Sequence, residues 1–195
     1  MKLLLLLSLA VISLLTSCGS SVTGSHETFV MRPSYKQSHE TYSNKEAVRN
    51  ADTSKTRVIV NIATQRMIVS QGATILIDTP CTTGRVGKRT PLGTFKLYDR
   101  VADKYSNVYG NFYKGGKLIC QGHRFEKCNG ISYDKYVGTP LPHWQRLTEN
   151  GIGMHGSKYV KRHPASGGCI RLQPTWAKKI FGLTREGTPI SVISS

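Results

Sequence analysis

Apolar residues recur along most of the chain in short runs that are typical of β-strands. Two β-branched runs flank the polar triplet Thr64-Gln65-Arg66, which predicts a hairpin. A later run alternates apolar and polar positions with the period of a half-buried strand. In chain order, strands are predicted at residues 58–62, 67–69, 74–77, 94–98, 152–155 and 189–193.

One helix is predicted near the end of the chain. It begins with Pro174 in the first turn, where a missing N–H costs no helical hydrogen bond, and is expected to stop at Gly182. Residues 102–138 are rich in Gly, Tyr and Lys with weak periodicity, so we expect loops and short strands there. Many short strands predict a mainly β domain, a sandwich or barrel-like fold with one or two short helices.

The first residues are typical of a secretory signal peptide. Lys2 precedes an apolar run at residues 3–15 that is too short to span a bilayer comfortably, and small residues follow it. The ending Leu15-Thr16-Ser17-Cys18 resembles the bacterial lipobox, in which the cysteine is lipidated and becomes the new N-terminus. The alternative is ordinary signal-peptidase cleavage nearby, which would discard Cys18.

Residues 19–56 differ in composition from the rest of the chain, because they contain neither Leu nor Ile and are rich in Ser and Thr. Such a segment buries little apolar surface to offset its conformational entropy. A flexible tether is therefore predicted, with a short helix near residues 44–50. The expected organisation is a signal peptide at residues 1–17, a lipidated cysteine and tether at residues 18–56, and a folded domain at residues 57–195.

Lys and Arg outnumber Asp and Glu by 27 to 11, and the excess lies in the predicted domain. A strongly basic protein suits an anionic partner, which includes nucleic acid, acidic lipid headgroups and acidic wall polymers. The chain has no zinc-finger spacing, Arg-rich low-complexity stretch or aromatic-basic RNA signature. We therefore expect no nucleic-acid binding.

Cysteine chemistry is the most informative possibility in the sequence. Cys169 directly follows two glycines, which allow the backbone to turn sharply and point N–H groups at a neighbouring atom. The amides of Gly167, Gly168 and Cys169 are candidates for an oxyanion hole, and His155 is the best candidate base for activating the thiol. Because no Asp or Glu lies near His155 in sequence, a backbone carbonyl is the expected partner that orients its ring.

Two other interpretations of the same residues stay open at this point. Cys169 can be a small buried apolar residue, with His155 as a hydrogen-bonded loop residue. A metal site built from His155, His163 and Cys169 is disfavoured, because metal ligands usually come in pairs at short spacing. We expect neither a metal nor a cofactor.

Three segments resemble the signature of L,D-transpeptidases with the YkuD catalytic domain. The first is His155-Gly156 followed by Ser166-Gly167-Gly168-Cys169-Ile170-Arg171. The second is Thr83-Gly84-Arg85-Val86-Gly87 with Thr90-Pro91-Leu92-Gly93-Thr94-Phe95. The third is Pro142-His143-Trp144 running into Gly153-Met154-His155. The resemblance spans roughly residues 57–193 and implies a β-sandwich with the cysteine at a cleft.

The resemblance also implies roles for individual residues. Cys169 is expected to be the nucleophile and His155 the base, with Gly156 beside it. Ser166 is expected to support the site by hydrogen bonding. Arg171 is expected to hold the active-site loop or a substrate carboxylate, since a guanidinium can bind either in a bidentate manner.

One position departs from the family pattern. Many members have His immediately before the Gly-Cys pair, where this chain has Gly167. Activity should survive, because the base role belongs to His155, but substrate positioning is expected to differ. His163 is a candidate substitute for the missing imidazole, and the favoured alternative is an exposed loop histidine.

The remaining cysteines carry several alternatives. Cys120 and Cys128 are eight residues apart, so in a secreted chain they can form a disulfide. They can also remain free thiols, or bind zinc together with His123. Cys81 lies beside a predicted strand and is expected to be a core residue.

The expected activity is acyl transfer through a cysteine thioester, from a peptidoglycan tetrapeptide stem to an amine acceptor. The product would be a 3→3 cross-link or a wall attachment. The alternatives are a secreted cysteine L,D-carboxypeptidase or amidase that uses water, and a non-catalytic wall-binding lipoprotein. We expect a monomer in the bacterial cell envelope, anchored to the membrane through Cys18 and acting on stem peptides outside the cytoplasm.

Overall fold

The computed structural model describes residues 21–22, 24–124, 128 and 130–194. Within these residues strands dominate, and three α-helices are present instead of the one or two expected. The mainly β fold class is confirmed. None of the described helices is long and apolar enough to cross a membrane. The predicted signal peptide and Cys18 lie outside the described residues.

The elements alternate irregularly along the chain. The helices are α1 (His26–Val30), α2 (Lys45–Arg49) and α3 (Pro174–Leu183). The strands are β1 (Ser21–Val22), β2 (Thr41–Ser43), β3 (Thr56–Asn61), β4 (Arg66–Gln71), β5 (Thr74–Thr82), β6 (Gly93–Lys96), β7 (Arg100–Lys114), β8 (Lys117–Arg124), β9 (Lys135–Arg146), β10 (Gly153–Gly156), β11 (Ile170–Leu172) and β12 (Pro189–Ile193).

The strands form one continuous path in the order β6-β12-β3-β4-β5-β11-β10-β9-β7-β8, and β2 pairs with β5 beside this path. Strand β5 links the two halves, because it pairs with β4 along its length while Cys81 and Thr82 at its end pair with β11. Both halves and α3 contribute to a single buried core, which includes Val60, Leu76, Met154, Ile170 and Trp176.

Most of the predicted elements are present. The β3–β4 hairpin has antiparallel register as expected, and β12 has the predicted bounds. Helix α3 begins at Pro174 and ends at Leu183, one residue beyond the predicted stop. Strand β11 was not predicted, since three residues are too few to show a period.

The prediction of loops and short strands at residues 102–138 is wrong. Strands β7, β8 and β9 are long and form an antiparallel arm, in which β7 alone has 15 residues. Most β7 side chains are exposed, so burial imposes no alternation on the sequence. Pairing between backbones holds the arm together, and a disulfide joins Cys120 of β8 to Cys128. Of the alternatives for these two cysteines, the structure has the disulfide.

The prediction of a flexible tether is wrong for residues 24–56. Helix α1 is capped by the Ser25 side chain and buries Phe29, which is 1% exposed. Strand β2 pairs with β5 in antiparallel register, and the short helix predicted near residues 44–50 is α2, capped by Asn44. The segment lacks Leu and Ile because aromatic rings and polar groups make most of its contacts with the domain.

A buried ion pair provides the main polar contact for this segment. Arg66 Nε donates to Asp78 Oδ1 at 2.6 Å, and the two side chains are 1% and 0% exposed. The other Asp78 oxygen accepts from Tyr35 Oη at 2.7 Å and lies 2.9 Å from His26 Nε2. The Arg66 guanidinium also donates to the carbonyl oxygens of Tyr35 and Glu40. Burying both charges requires such a complete set of partners.

Replacing Asp78 tests this arrangement. Asp78→Asn leaves the Arg66 guanidinium buried without its counter-charge, which typically costs about 3–5 kcal/mol in the free energy of unfolding. Urea denaturation should show the loss, and limited proteolysis should cut residues 24–43 faster. Asp52→Asn is the control, because Asp52 is exposed and pairs with Lys55 at the surface. Equal stability of both variants and the parent protein would contradict the prediction.

Candidate active site

Parallel pairing of two short strands brings the predicted catalytic residues together. In the β10–β11 register, Met154 lies beside Ile170 and His155 beside Arg171. Cys169, which directly precedes β11, therefore lies level with Gly153. The Gly153 backbone N–H is near enough to the Cys169 sulfur to lower the pKa of the thiol. Cys169, directly before β11, and His155, in β10, therefore lie on neighbouring segments, although 13 residues separate them in the sequence.

Both residues line one cleft with a volume of about 1130 Å³. The β7–β9 arm forms one wall, and the turn before Cys169 forms another. Among the predicted site residues, the cleft collects Cys169, His155, Ser166, Gly167 and Arg171. Its charged lining comprises the basic side chains of Arg85, Lys104, Arg146 and Arg171 and the acidic ones of Asp99 and Glu149. The cleft is therefore net basic, like the domain as a whole.

The His155 ring is held by a backbone carbonyl. Its Nδ1 lies 2.9 Å from the carbonyl oxygen of Gly156, and the side chain is 6% exposed. Because a carbonyl oxygen can only accept, Nδ1 carries the proton, and a neutral ring keeps its lone pair on Nε2. The sequence had led us to expect a carbonyl partner, and the structure has one in Gly156.

Burial keeps the His155 imidazole neutral. Removal from water, which is the largest effect, and the nearby positive charge of Arg171 together lower the pKa of His155 to about 4, against the opposing effect of the Gly156 hydrogen bond. The indole of Trp144 lies 6.1 Å from the ring, centroid to centroid, and forms part of this apolar surrounding. Near pH 7 the ring is a base ready to accept a proton.

The Cys169 thiol is also affected by burial. Loss of water raises its pKa, while the nearby Gly153 N–H and the charge of Arg171 lower it in part. Cys169 Sγ lies 3.9 Å from the carbonyl oxygen of Gly151. Burial makes the Cys169 thiol a weaker acid and the His155 imidazole a weaker base. The favoured resting state is therefore a neutral thiol beside a neutral imidazole. If this thiol acts as a nucleophile, proton transfer has to accompany its attack.

Ser166 shapes the turn that presents Cys169. Its hydroxyl donates to the carbonyl oxygen of Cys169 at 2.5 Å and accepts from the N–H of Gly168 at 3.1 Å. The prediction that the Gly168 amide contributes to an oxyanion hole is therefore wrong, because Ser166 already uses that N–H. Of the predicted donors, the amides of Gly167 and Cys169 remain.

Thr90 supports the turn from behind. Its hydroxyl donates to the carbonyl oxygen of Gly168 at 2.7 Å and accepts from the N–H of Gly84 at 2.9 Å. We did not single out Thr90 or Gly153 as site residues in the sequence. Thr90 was visible as part of a motif resembling the family, whereas nothing marked Gly153, whose contribution is a backbone N–H.

Two other sequence alternatives can now be compared with the structure. His163 is exposed outside the cleft, and its Nδ1 lies 3.4 Å from the carbonyl oxygen of Pro164. It therefore does not stand in for an imidazole at position 167. Cys81 is fully buried in the core, where burial raises the pKa of its thiol to about 12. Cys169 is the more exposed of these two free cysteines.

The Gly168 backbone can be tested by adding a single methyl group. Gly168 has a φ of +124°, and a Cβ there would lie 2.6 Å from Ile152 Cδ1. Gly168→Ala should therefore displace the turn, slow iodoacetamide alkylation of Cys169 and lower stability by roughly 1–3 kcal/mol. Gly182→Ala is the matched control, because no atom lies within 4 Å of its Cβ position and alanine favours helix α3. Unchanged alkylation in Gly168→Ala would disprove this account of the turn.

Comparison with known proteins identifies the family. A sequence profile of the YkuD family, described as the L,D-transpeptidase catalytic domain, matches residues 55–192. No curated protein matches the chain.

Solved structures show the same fold. An L,D-transpeptidase from Mycobacterium smegmatis is 21% identical with a TM-score of 0.54, and the match covers 71% of this chain and 58% of that one. For one from Stackebrandtia nassauensis the values are 20%, 0.53, 74% and 58%. L,D-transpeptidase 3 from Mycobacterium tuberculosis, solved with a faropenem-derived adduct, gives 16%, 0.52, 71% and 60%.

The match spans less than two thirds of the length of each of these structures. The family profile, in contrast, matches well over half of this chain and includes every residue assigned to the cleft. The chain therefore belongs to the YkuD family of L,D-transpeptidase catalytic domains.

Proposed function

We propose that the protein is a peptidoglycan L,D-transpeptidase in which Cys169 forms a thioester with a tetrapeptide stem. The observation that carries the proposal is that Cys169 and an oriented, neutral His155 line the same cleft. The chain also belongs to this family. A thiol, a base and backbone donors are the groups that acyl transfer requires.

The first half of the reaction forms the thioester. The Cys169 sulfur attacks the carbonyl carbon between the L-centre of a diamino acid and the terminal D-alanine, while its proton passes to His155 Nε2. The N–H groups of Gly167 and Cys169 stabilise the negative oxygen of the tetrahedral intermediate. The carbon–nitrogen bond then breaks, and D-alanine leaves as an amine after taking the proton from His155.

The second half transfers the acyl group. The amine of a second stem attacks the thioester carbonyl and gives its extra proton to His155, and the Cys169 sulfur leaves and recovers that proton. The product is a 3→3 cross-link or a wall attachment. With water as the acceptor, the same site would be an L,D-carboxypeptidase, so the identity of the acceptor separates transfer from hydrolysis.

The charges of the cleft favour a stem peptide as substrate. Stem peptides carry free carboxylates, and Arg171 both lines the cleft and is close enough to influence the titration of His155 and Cys169. We assign Arg171 to a substrate carboxylate near the scissile bond, where a guanidinium can bind in a bidentate manner. Ser166 and Gly156 act as supports, since their contacts are with the turn and the His155 ring.

The location follows from the activity and the N-terminal sequence. Peptidoglycan enzymes act outside the cytoplasm, and we propose that this one is monomeric and held at the membrane by a lipid on Cys18. Mass spectrometry of the mature N-terminus would identify the lipid. An unmodified N-terminus beyond residue 18 would instead indicate ordinary signal-peptidase cleavage.

Removing the nucleophile tests the activity directly. Cys169→Ala should lower turnover of purified tetrapeptide stems at least roughly a thousandfold, and His155→Ala should lower it roughly 10²–10⁴-fold. Mass spectrometry of the muropeptides distinguishes dimers made by transfer from shortened monomers made by hydrolysis. His163→Ala is the matched control. This histidine lies in the same loop as Cys169, between β10 and β11, but its side chain is exposed outside the cleft. Unchanged muropeptides with Cys169→Ala would refute the enzymatic proposal.

The pH profile tests the state of the base. His155 has its pKa lowered to about 4, so the neutral form persists to lower pH in the folded protein than in the unfolded chain. The acid limb of kcat/KM should therefore have its midpoint near pH 4, well below the usual histidine value of about 6.5. The contribution of His155 to stability is complete above pH 6.5 and is lost as the pH falls from 6.5 to 4. An NMR titration of the His155 ring with a midpoint near 6.5 would contradict this.

A further inference from the structure

The β7 strand contains a bulge opposite the nucleophile. Its register with β9 breaks between Tyr105 and Gly110. Within the break, the Ser106 hydroxyl accepts from the backbone N–H groups of Val108 at 3.1 Å and Tyr109 at 2.9 Å. Ser106 is itself buried. The side chain of Ser106 thus folds the backbone into a compact turn in the middle of a long strand.

Strand β9 supports the bulge through contacts that demand particular residues. Tyr136 Oη donates to the Ser106 carbonyl oxygen at 3.0 Å. A Cβ on Gly138 would lie 2.2 Å from that oxygen, and a Cβ on Gly110 would lie 2.5 Å from the carbonyl oxygen of Val137. Only glycine fits at positions 110 and 138. Bulges commonly redirect a side chain toward a functional site, and this one is built by four specific residues.

The bulge directs Tyr109 at the turn that carries the nucleophile. Its hydroxyl oxygen lies 2.8 Å from the position that a Cβ on Gly167 would occupy, and Cζ of its ring lies 3.4 Å from the same point. Tyr109 and Gly167 both line the cleft. The Tyr109 side chain therefore fills the space into which any side chain at position 167 would project, and the absence of a side chain at Gly167 makes room for Tyr109.

We propose that Tyr109 and Gly167 form a complementary pair that limits the size of the amino acid leaving from the donor. This inference rests on the proposed function. We assign the part of the cleft between Tyr109 and the Gly167 turn, which directly precedes Cys169, to the residue that lies across the scissile bond from the diamino acid. A methyl side chain, as in D-alanine, fits a space bounded by the phenol ring, and a larger one is excluded.

Donor selectivity provides the first test. Synthetic tetrapeptide stems ending in D-alanine or D-phenylalanine are supplied to the full-length protein, and kcat/KM for release of the last residue is measured. Tyr109→Ala should raise the ratio of the D-phenylalanine to the D-alanine value by roughly 10–200-fold, the usual effect of opening an apolar pocket. Tyr109→Phe keeps the ring and should leave the ratio within about twofold of the parent value.

A matched control separates this effect from the loss of any tyrosine. Tyr98 is exposed and lies outside the cleft, so Tyr98→Ala should leave the ratio unchanged. A ratio that Tyr109→Ala leaves unchanged, or that Tyr98→Ala raises equally, would overturn the proposal.

A double-mutant cycle tests whether the two residues compete for the same space. Gly167 does not have a positive φ, so its backbone accepts alanine. Gly167→Ala should lower kcat/KM for the D-alanine donor roughly tenfold in the parent protein and less than about twofold in the Tyr109→Ala background. Additive effects would show that the residues do not compete. Thermal midpoints of all four proteins should agree closely, because the contact lies at the end of a side chain.

The same cycle can be measured on the rate at which faropenem acylates Cys169, which requires no stem substrate. If stems are not turned over but the acylation cycle is coupled, the proposed function fails and the complementary pair stands. If D-alanine is released with dependence on Cys169 but the cycle is additive and selectivity is unchanged, only the inference about Tyr109 fails.

Discussion

The site depends on the parallel pairing of β10 and β11, within a sheet in which most neighbouring strands are antiparallel. Parallel neighbours need a crossover connection, commonly a helix, and here the connection between β10 and β11 is a loop. Loops of this kind keep their shape only if other segments hold them. Thr82 at the end of β5 exchanges hydrogen bonds with the backbone of Lys161, and the carbonyl oxygen of Thr83 accepts from the N–H groups of Ala165 and Ser166.

The tip of the same loop is held by Arg162. Its guanidinium donates to the carbonyl oxygens of Thr64 and Gln65 in the β3–β4 turn and to that of Lys36 in the N-terminal segment. Arg66, the first residue of β4 directly after that turn, binds the same segment from within the domain. The N-terminal residues and the loop before Cys169 are therefore both bound by the neighbouring side chains of Arg66 and Arg162, which connect the periphery of the fold to the edge of the sheet that carries the cleft.

The sequence predicted the chemistry of the site better than its surroundings. Cys169, His155 and Ser166 were singled out because a sequence displays side chains, and the structure places all three on the lining of one cleft. Gly153 was missed because it contributes a backbone N–H. The Gly168 amide was misjudged because its partner, the Ser166 hydroxyl, became known only from the three-dimensional turn. Tyr109 reaches the site through a bulge that no local pattern in the sequence indicates.

The fold was predicted where burial imposes a period and missed where it does not. Strand β3 alternates buried and exposed residues, whereas the arm is mostly exposed and is stabilised by pairing of its backbones. The N-terminal segment failed for a different physical reason. Composition measures how much apolar surface a segment can bury, and this one binds instead through carbonyl oxygens, Tyr35, Phe29 and His26 around a buried ion pair.

The docking of that segment changes how far the enzyme could travel from an anchor. A flexible tether of nearly forty residues would allow a domain to reach sites at many depths within the cell wall. Since Ser21 already pairs in β1, a lipid on Cys18 would leave three peptide links, which span no more than roughly 10 Å. A domain attached by so short a link would reach only the stems that lie next to its own membrane. The position of the bilayer would then determine which layer of the wall is remodelled.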